Sequence, residues 1–409
     1  MKTPKFLAVT TGLIASLVIA APAWAGAELK IDDESSINLG FRAQAFAKFI
    51  EQDLDGDGSF DSLTDFQVRR ARIRLLGKIN KHISAFLQTE FGDDSAGNGG
   101  DVRMIDAFVR VNYNPWAQIY AGLNMAPSSR QSTTSSGGLM AIGRPGNNTK
   151  NLTWGTRSLG RFSTATIGDT ASSLNGLATN SVRDMGVTLF GSGSLSDTSH
   201  LKYYLGFYDG IQASGSDKSD RNLRMTARAQ VNFGDAEAGY YNTSTYLGKK
   251  KTLAFGVSYD VQDEVQVADG SGLLSSGAYG DYAYYSVDAF AEYPMGDGTL
   301  TAEAAFSNLD LDGADSAALQ AEGDGFYVQA GYYLPSKWQP WVAYETWDSE
   351  ATSGLGSYDA YRVGISYFFK GHNANVKAGF ERFHSDEPFS GSGNEYETNS
   401  FFVGFYITY

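Results

Sequence analysis

The sequence predicts an all-β protein, a transmembrane antiparallel β-barrel of 16–18 strands, best counted as eighteen, with a long loop folded into the pore. Three observations carry this. Apolar and polar residues alternate with a period of two over repeated segments of about ten residues, the pattern of strands with one face in lipid and the other in water. Beyond residue 25 no run of about 18 or more apolar residues occurs, so no helix is fit to cross a bilayer. The chain also finishes on an alternating strand with an aromatic last residue: Phe401, Val403, Phe405, Ile407 and Tyr409 share one face.

The start of the chain has a different character. Lys2 and Lys5 precede an apolar run over 6–21, and Ala23-Trp24-Ala25 is a small-x-small cleavage pattern. Residues 1–25 are therefore expected to be a Sec signal peptide and 26–409 the barrel. The chain has no cysteine, which excludes disulfides, thiolate metal sites and thiol catalysis and suits a Gram-negative envelope protein. A formal net charge of −14 makes nucleic acid a poor partner.

In order, the first strand alternates Ile37, Leu39, Phe41, Ala43, Ala45, Ala47 and Phe49 with Asn38, Arg42, Gln44 and Lys48. A D-x-D-x-D-G stretch follows, with Asp53, Asp55, Asp57 and Asp61 as candidate calcium ligands. Thr64 stands where the bidentate Glu of such a loop would be, so the stretch reads either as a merely solvated acidic loop or as a weak calcium site, and no other cofactor is expected. The next strand, F-Q-V-R-R-A-R-I-R-L-L-G-K over 66–78, sets Arg70, Arg72 and Arg74 on one face and Ala71, Ile73 and Leu75 on the other. Ile83, Ala85, Leu87, Thr89 and Phe91 continue the apolar face. In the strand after a Gly/Asp loop, Asp106, Phe108 and Arg110 share the polar side. Asn114-Pro115 turns the chain, and Ile119, Ala121 and Leu123 return it.

Between 126 and 180 the alternation stops in a Ser/Thr/Gly/Asn-rich segment too long for an ordinary connection. It carries Arg130, Arg144, Lys150, Arg157 and Arg161 against one acid, Asp169. A local cation excess in so acidic a chain points to a loop that enters the barrel and makes an anion-attracting constriction. Further strands are expected over 185–190, 201–208, 223–233, 236–246, 253–261, a short one at 264–268, then 299–308, 326–334, 338–347, 360–370, 374–383 and 400–409. Arg224 and Arg228 fall on lumenal positions. Acids gather in the long loops, so the net charge describes the outer rim more than the pore. Tyr113, Trp116, Tyr293, Tyr332, Trp338 and Trp341 near strand ends suit interfacial aromatic girdles.

Four histidines, His82, His200, His372 and His384, form no recognisable catalytic constellation, and neither G-x-S-x-G nor H-E-x-x-H occurs, so no enzyme is expected. Glu90, Asp106, Asp288, Glu292, Glu303, Glu345 and Glu381 are expected in the lumen, opposing the arginines.

The arginine strand, Asp106-Ala107-Phe108 before Asn114-Pro115, Arg183-Asp184-Met185-Gly186-Val187, the tyrosine-rich 203–210, Gln339-Pro340-Trp341 with Tyr344-Glu345, and Gly371-His372-Asn373 together resemble the phosphate-selective porin O and P family. The resemblance spans essentially the whole mature chain. It implies a homotrimeric outer-membrane barrel that passes small anions along arginines, with Arg70, Arg72 and Arg74 the positions carried over and Arg42 and Lys48 their neighbours. It also implies outer-membrane lipid and lipopolysaccharide as surroundings and the barrel assembly machinery as a partner in biogenesis, read from the aromatic last strand. Three functions stay open at this point: a passive porin preferring phosphate-like or other oxyanions, a general or cation-preferring porin, and a barrel serving as sheath or scaffold for an envelope partner.

Overall fold

The computed structural model describes residues 26–53, 58–91, 102–144, 183–210, 222–268, 274–312, 323–349, 357–385 and 396–409. Residues 1–25, expected to be a signal peptide, and Asp55, Asp57, Arg157 and Arg161 lie outside them. In chain order the strands are β1 (Ala27–Lys30), β2 (Ser36–Asp53), β3 (Asp61–Lys78), β4 (Ile83–Phe91), β5 (Val102–Asn114), β6 (Ala117–Met125), β7 (Arg183–Ser194), β8 (Ser199–Tyr208) and β9 (Arg224–Gly234). They continue as β10 (Thr252–Ala268), β11 (Leu274–Met295), β12 (Gly298–Asp312), β13 (Gly323–Tyr333), β14 (Trp338–Ser349), β15 (Tyr358–Tyr367), β16 (Phe369–His372), β17 (Ala374–Ser385) and β18 (Tyr396–Thr408).

Sixteen of these form a closed antiparallel ring, the lower end of the expected range, and the two outside it are the four-residue β1 and β16. Closure comes from β18, which pairs with β2 from Thr408↔Arg42 to Glu397↔Asp53. A closed ring leaves no edge of unpaired N–H and C=O groups, the condition for strands to cross hydrocarbon. β1 extends the same edge of β2, with Lys30 opposite Ser36.

Two expected strands are otherwise. Residues 264–268 belong to β10, past a bulge between Gln262 and Val265. Residues 236–246 form no strand, because their polar groups bond to another inward segment and not to a neighbouring ladder.

Alternation decides the faces. On β18, Phe401, Phe405 and Ile407 are exposed while Phe402 and Tyr406 are buried. Outward Val257, Val342, Val363 and Phe405 keep more than half of their surface exposed, and leaving such side chains in water forfeits roughly 1.5–3 kcal/mol each, so they call for lipid. Tyr113, Trp116, Tyr293 and Trp338 are exposed at the end of the barrel where the chain termini lie, as a girdle requires. Trp341 is not in that girdle. It is 2% exposed and faces the lumen with Met140, Ile142 and Tyr406. Its ring lies over Gly364 and Gly379, where any Cβ would collide with it.

Two inner segments enter the lumen from opposite ends. One, 126–144 after β6, contains a 3-10 turn at Gln131–Thr133. The other, 235–251, joins β9 to β10 at the termini end. They meet backbone to backbone: Ser135 N donates to Asn242 O at 2.9 Å, Asn242 N to Thr133 O at 3.0 Å and Ser244 N to Gly138 O at 2.9 Å. Wall side chains hold both. Tyr406 donates to Ile142 O at 2.6 Å, Ser366 to Met140 O at 2.8 Å, and Lys377 to Leu139 O and Ala141 O. Glu292 accepts Tyr246 N at 2.7 Å and Gly248 N at 2.9 Å. Unpaired polar backbone inside a barrel is costly, so these contacts fix where the segments lie.

Candidate functional site

The arginines of β3 owe their common face to one irregularity. The β2–β3 register slips between Gln44↔Arg70 and Ala45↔Val68, leaving Arg69 as the extra residue. Before it, Gln67 points inward and Phe66 and Val68 outward; after it, Arg70 and Arg72 are buried in the lumen, Arg74 is half-buried and Ile73 is outside. The doublet Arg69-Arg70 is thus where the alternation changes phase.

Across the ladder Arg42 faces Arg72, Gln44 faces Arg70 and Gly40 faces Arg74. The first inner segment reaches this wall. Arg42 Nη1 donates to Ser136 Oγ at 2.7 Å and Arg72 Nη1 to the same oxygen at 3.2 Å. Gln44 Nε2 donates to Ser136 O at 3.0 Å, while Arg70 Nη1 donates to Gln44 Oε1 at 2.7 Å. Gly137 makes the approach possible, since a Cβ there would run into the Arg42 guanidinium. With the Ser136 oxygen accepting from two cations, its own O–H is left to donate.

Arg42, Arg72, Arg74, Arg144 and Arg183 line one cleft together with a single carboxylate, Asp106. Arg183 Nε and Nη2 bind Asp106 at 3.0 and 3.1 Å, and Gln88 Nε2 donates to it at 2.6 Å. Arg72 Nε binds Glu90 Oε1 at 2.7 Å. Arg42, Arg70, Arg74 and Arg144 have no salt bridge to any described carboxylate. Burial, and then the charges of Arg183 and Arg72, push the Arg144 guanidinium down to about 9. The cleft is therefore a place of excess positive charge, three of its five arginines lacking a carboxylate partner among the described residues, and is suited to receive an anion.

The other expected cations serve elsewhere. Arg130 is clamped by Glu237 at 2.8 and 2.9 Å, lies 4.0 Å from the centre of the Phe290 ring and is 3.8 Å from Glu303. Burial alone would lower its pKa, but Glu237 and Glu303 outweigh it and hold Arg130 well above the usual value. Arg224 pairs with Asp260 and Asp184, and Arg228 with Asp288, all inside the wall. Arg110 donates to Gln118 at 2.8 Å, and Lys48 pairs with Asp65 at 3.2 Å.

The acids do not confront the arginines across an open gap, as expected, but sit beside them. Glu90 is the direct cross-strand partner of Arg72, and Glu345 shares Arg362 with Glu381. Glu303 accepts from Gln131, Tyr327 and Gln329. In the acidic loop, Asp53 accepts Gly58 N at 2.8 Å, and no group of three metal-ligating side chains occurs among the described residues.

Sequence reading missed Arg183, Ser135, Ser136 and Tyr241 as members of the cleft. Arg183 is the first residue of β7, on the parity that faces outward farther along at Met185 and Val187, so alternation alone conceals it. The run Ser135-Ser136-Gly137-Gly138 was the available signal for a segment able to press against a wall.

A protein of Aquifex aeolicus described only as uncharacterized is 23% identical over 79% of this chain and 76% of its own length. Among solved structures, an anion-selective porin from Comamonas acidovorans superposes with a TM-score of 0.57 at 12% identity, covering 92% of this chain and 100% of that one. The trimer form of OmpT from Vibrio cholerae gives 0.51 at 15% identity, with 92% and 100% covered. These likenesses establish the fold, and the family model for phosphate-selective porin O and P matches residues 37–387. The chain therefore belongs to the phosphate-selective porin O and P family, channel-forming barrels of the Gram-negative outer membrane.

Proposed function

We propose that the barrel is a passive diffusion channel preferring small anions, phosphate-like oxyanions among them, and that the arginine cleft is where a permeating anion exchanges water for protein donors. The supporting observation is an imbalance of charge. Of the five arginines that line the cleft, Arg72 and Arg183 are paired with Glu90 and Asp106 while Arg42, Arg74 and Arg144 have no salt bridge to a described carboxylate, whereas Arg130, Arg224, Arg228 and Arg362 elsewhere in the lumen are each matched by carboxylates. Matched pairs leave little field. Unmatched guanidinium groups raise the local anion concentration and offset the loss of hydration. Arg42 and Arg72, fixed by Ser136, present N–H groups in a fork that suits oxyanions.

The family and its name, and the anion-selective porin among the solved structures of this fold, support the same reading. Assembly as a homotrimer in a lipopolysaccharide-bearing membrane, after export and signal cleavage, completes it; a solved barrel of this fold has a trimer form. The test is the reversal potential in planar bilayers under a salt gradient. A sign set by anion flux is expected, and cation selectivity would overturn the proposal. Absence of any conductance, with a stoichiometric partner co-purifying, would favour a scaffold instead.

A further inference from the structure

Tyr241 stands among the arginines of the cleft, yet it comes from neither the barrel wall nor the 126–144 segment. It belongs to 235–251, which turns in from the termini end. Its neighbours in sequence are fully committed. Tyr240 is 4% exposed and donates to Met125 O at 2.6 Å, while Tyr204 donates to Tyr240 O at 2.6 Å. Asn242 is completely buried, bonded through its backbone to Thr133 and Ser135 and through its side chain to Lys202 at 2.6 Å.

Tyr241 differs from both. It keeps 37% of its surface exposed, meets Tyr240 edge-on at 5.1 Å, and its hydroxyl makes no hydrogen bond among the described residues. Tyr204, Tyr240 and Tyr406 are buried and each commits its hydroxyl to a carbonyl, whereas the Tyr241 side chain lines the cleft with its hydroxyl open to it. The Tyr241 ring is instead held between two anchored residues, with its oxygen within the electrostatic reach of Asp106, Arg183 and Arg74. An unperturbed phenol titrates at roughly 10, so at neutral pH the hydroxyl keeps its proton and can donate.

We propose that Tyr241 is a specificity-determining residue of the channel, donating its hydroxyl hydrogen to an oxyanion held by the cleft arginines. The inference rests on the reading of the cleft as an anion site and says what that site distinguishes. Chloride, a single atom, is satisfied by the guanidinium groups. A tetrahedral oxyanion presents oxygens in several directions, and those turned from the β2–β3 wall need a donor from another element. The 235–251 segment supplies it, so the site is assembled from pieces that enter the barrel from opposite ends.

The experiment uses the full-length protein and its Tyr241→Phe variant in planar bilayers, with inorganic phosphate titrated against a chloride current. The variant keeps the ring and its contact with Tyr240, so the barrel should assemble, which retention of the heat-resistant form on gels verifies. One hydrogen bond to a charged ligand lost from the variant should raise the half-blocking phosphate concentration roughly tenfold. Chloride conductance should change far less than the phosphate block, so that the ratio of the two effects separates a lost oxyanion donor from a general loss of the cleft. A half-blocking concentration within about twofold of wild type overturns the proposal, since it is below the cost of a lost charged hydrogen bond. So does a parallel loss of chloride conductance, which would mark a structural role. If the wild-type protein is itself not anion-selective, the reading of the cleft fails first, and that outcome is visible before any variant is made.

Discussion

Arg42 and Arg72 face each other directly across the β2–β3 ladder, and both donate to one oxygen, Ser136 Oγ, at 2.7 and 3.2 Å. Like charges opposite one another in a sheet repel. Of the two, Arg72 has a carboxylate partner in Glu90 and Arg42 has none, so the acceptor the pair shares among the described residues is the neutral serine. Ser136→Ala removes it while leaving the Ser136 backbone carbonyl for Gln44. Phosphate block of the chloride current should weaken roughly three- to tenfold as the two side chains lose their fixed geometry, in line with one or two lost hydrogen bonds. Thermal stability should change little, because the strands themselves are untouched. A full-strength block in the variant would show that the arginines are positioned by other contacts.

A cation in the cleft and a cation in a matched pair should behave differently when neutralised. Arg42→Gln removes an unmatched charge and should lower the anion-to-cation permeability ratio by roughly two- to fivefold, the effect of a unit charge at several ångströms in a wet site. Arg228→Gln leaves Asp288 buried without its guanidinium partner. It should cost about 3–5 kcal/mol of stability yet barely move the reversal potential. Urea or thermal unfolding of both variants, set beside their reversal potentials, measures the two effects separately. Equal selectivity losses would contradict the distinction.

Gly137 predicts a steric counterpart. A side chain at this position meets the Arg42 guanidinium, so Gly137→Val must displace either the inner segment or the arginine. Anion selectivity should fall as in Arg42→Gln although no charge has been removed. Gly239, whose Cβ would meet only the Tyr241 carbonyl oxygen at an ordinary distance, serves as the control, and Gly239→Ala should leave permeation unchanged.

How far the sequence discloses this arrangement depends on what alternation can report. It identifies which face of a strand meets lipid, and so the inward Arg42, Arg70, Arg72 and Arg74 follow from the residues alone. It does not identify partners. Arg224 and Arg228 have the right phase for a pore wall, but Asp260 and Asp288 from β10 and β11 neutralise them, and that pairing depends on register. Alternation also misleads where backbone bonds leave the sheet. Ala236, Ala238 and Tyr240 read as one face of a strand, yet the segment pairs with 133–138 inside the lumen. Trp341 is a further case: an aromatic near a strand end suggests a girdle, but lumenal space opened by Gly364 and Gly379 draws it inside.

The Arg130–Glu237 clamp ties the two inner segments together, and its pH response has a definite sign. Glu237 accepts from Arg130 at two positions, from Gln230 at 2.7 Å, from Asn232 at 3.1 Å and from Tyr246. Burial would raise its pKa, but Arg130 outweighs burial and, with Lys202 and the Tyr246 hydroxyl, holds the carboxyl far below the usual carboxylate range. A depressed carboxyl contributes its stabilisation fully above the unfolded-state pKa and loses it only as pH falls through the folded one. The segments should therefore stay clamped from neutral pH down to about 4.5, with loosening confined to stronger acid. Single-channel current noise should be flat over the first range and rise below it. Glu237→Gln should bring that noise to neutral pH and cost about 3–5 kcal/mol, the price of stranding a buried guanidinium, moderated by Glu303 at 3.8 Å from Arg130. Noise that rises already between pH 7 and 5 in the wild-type channel would place the responsive group elsewhere than on this clamp.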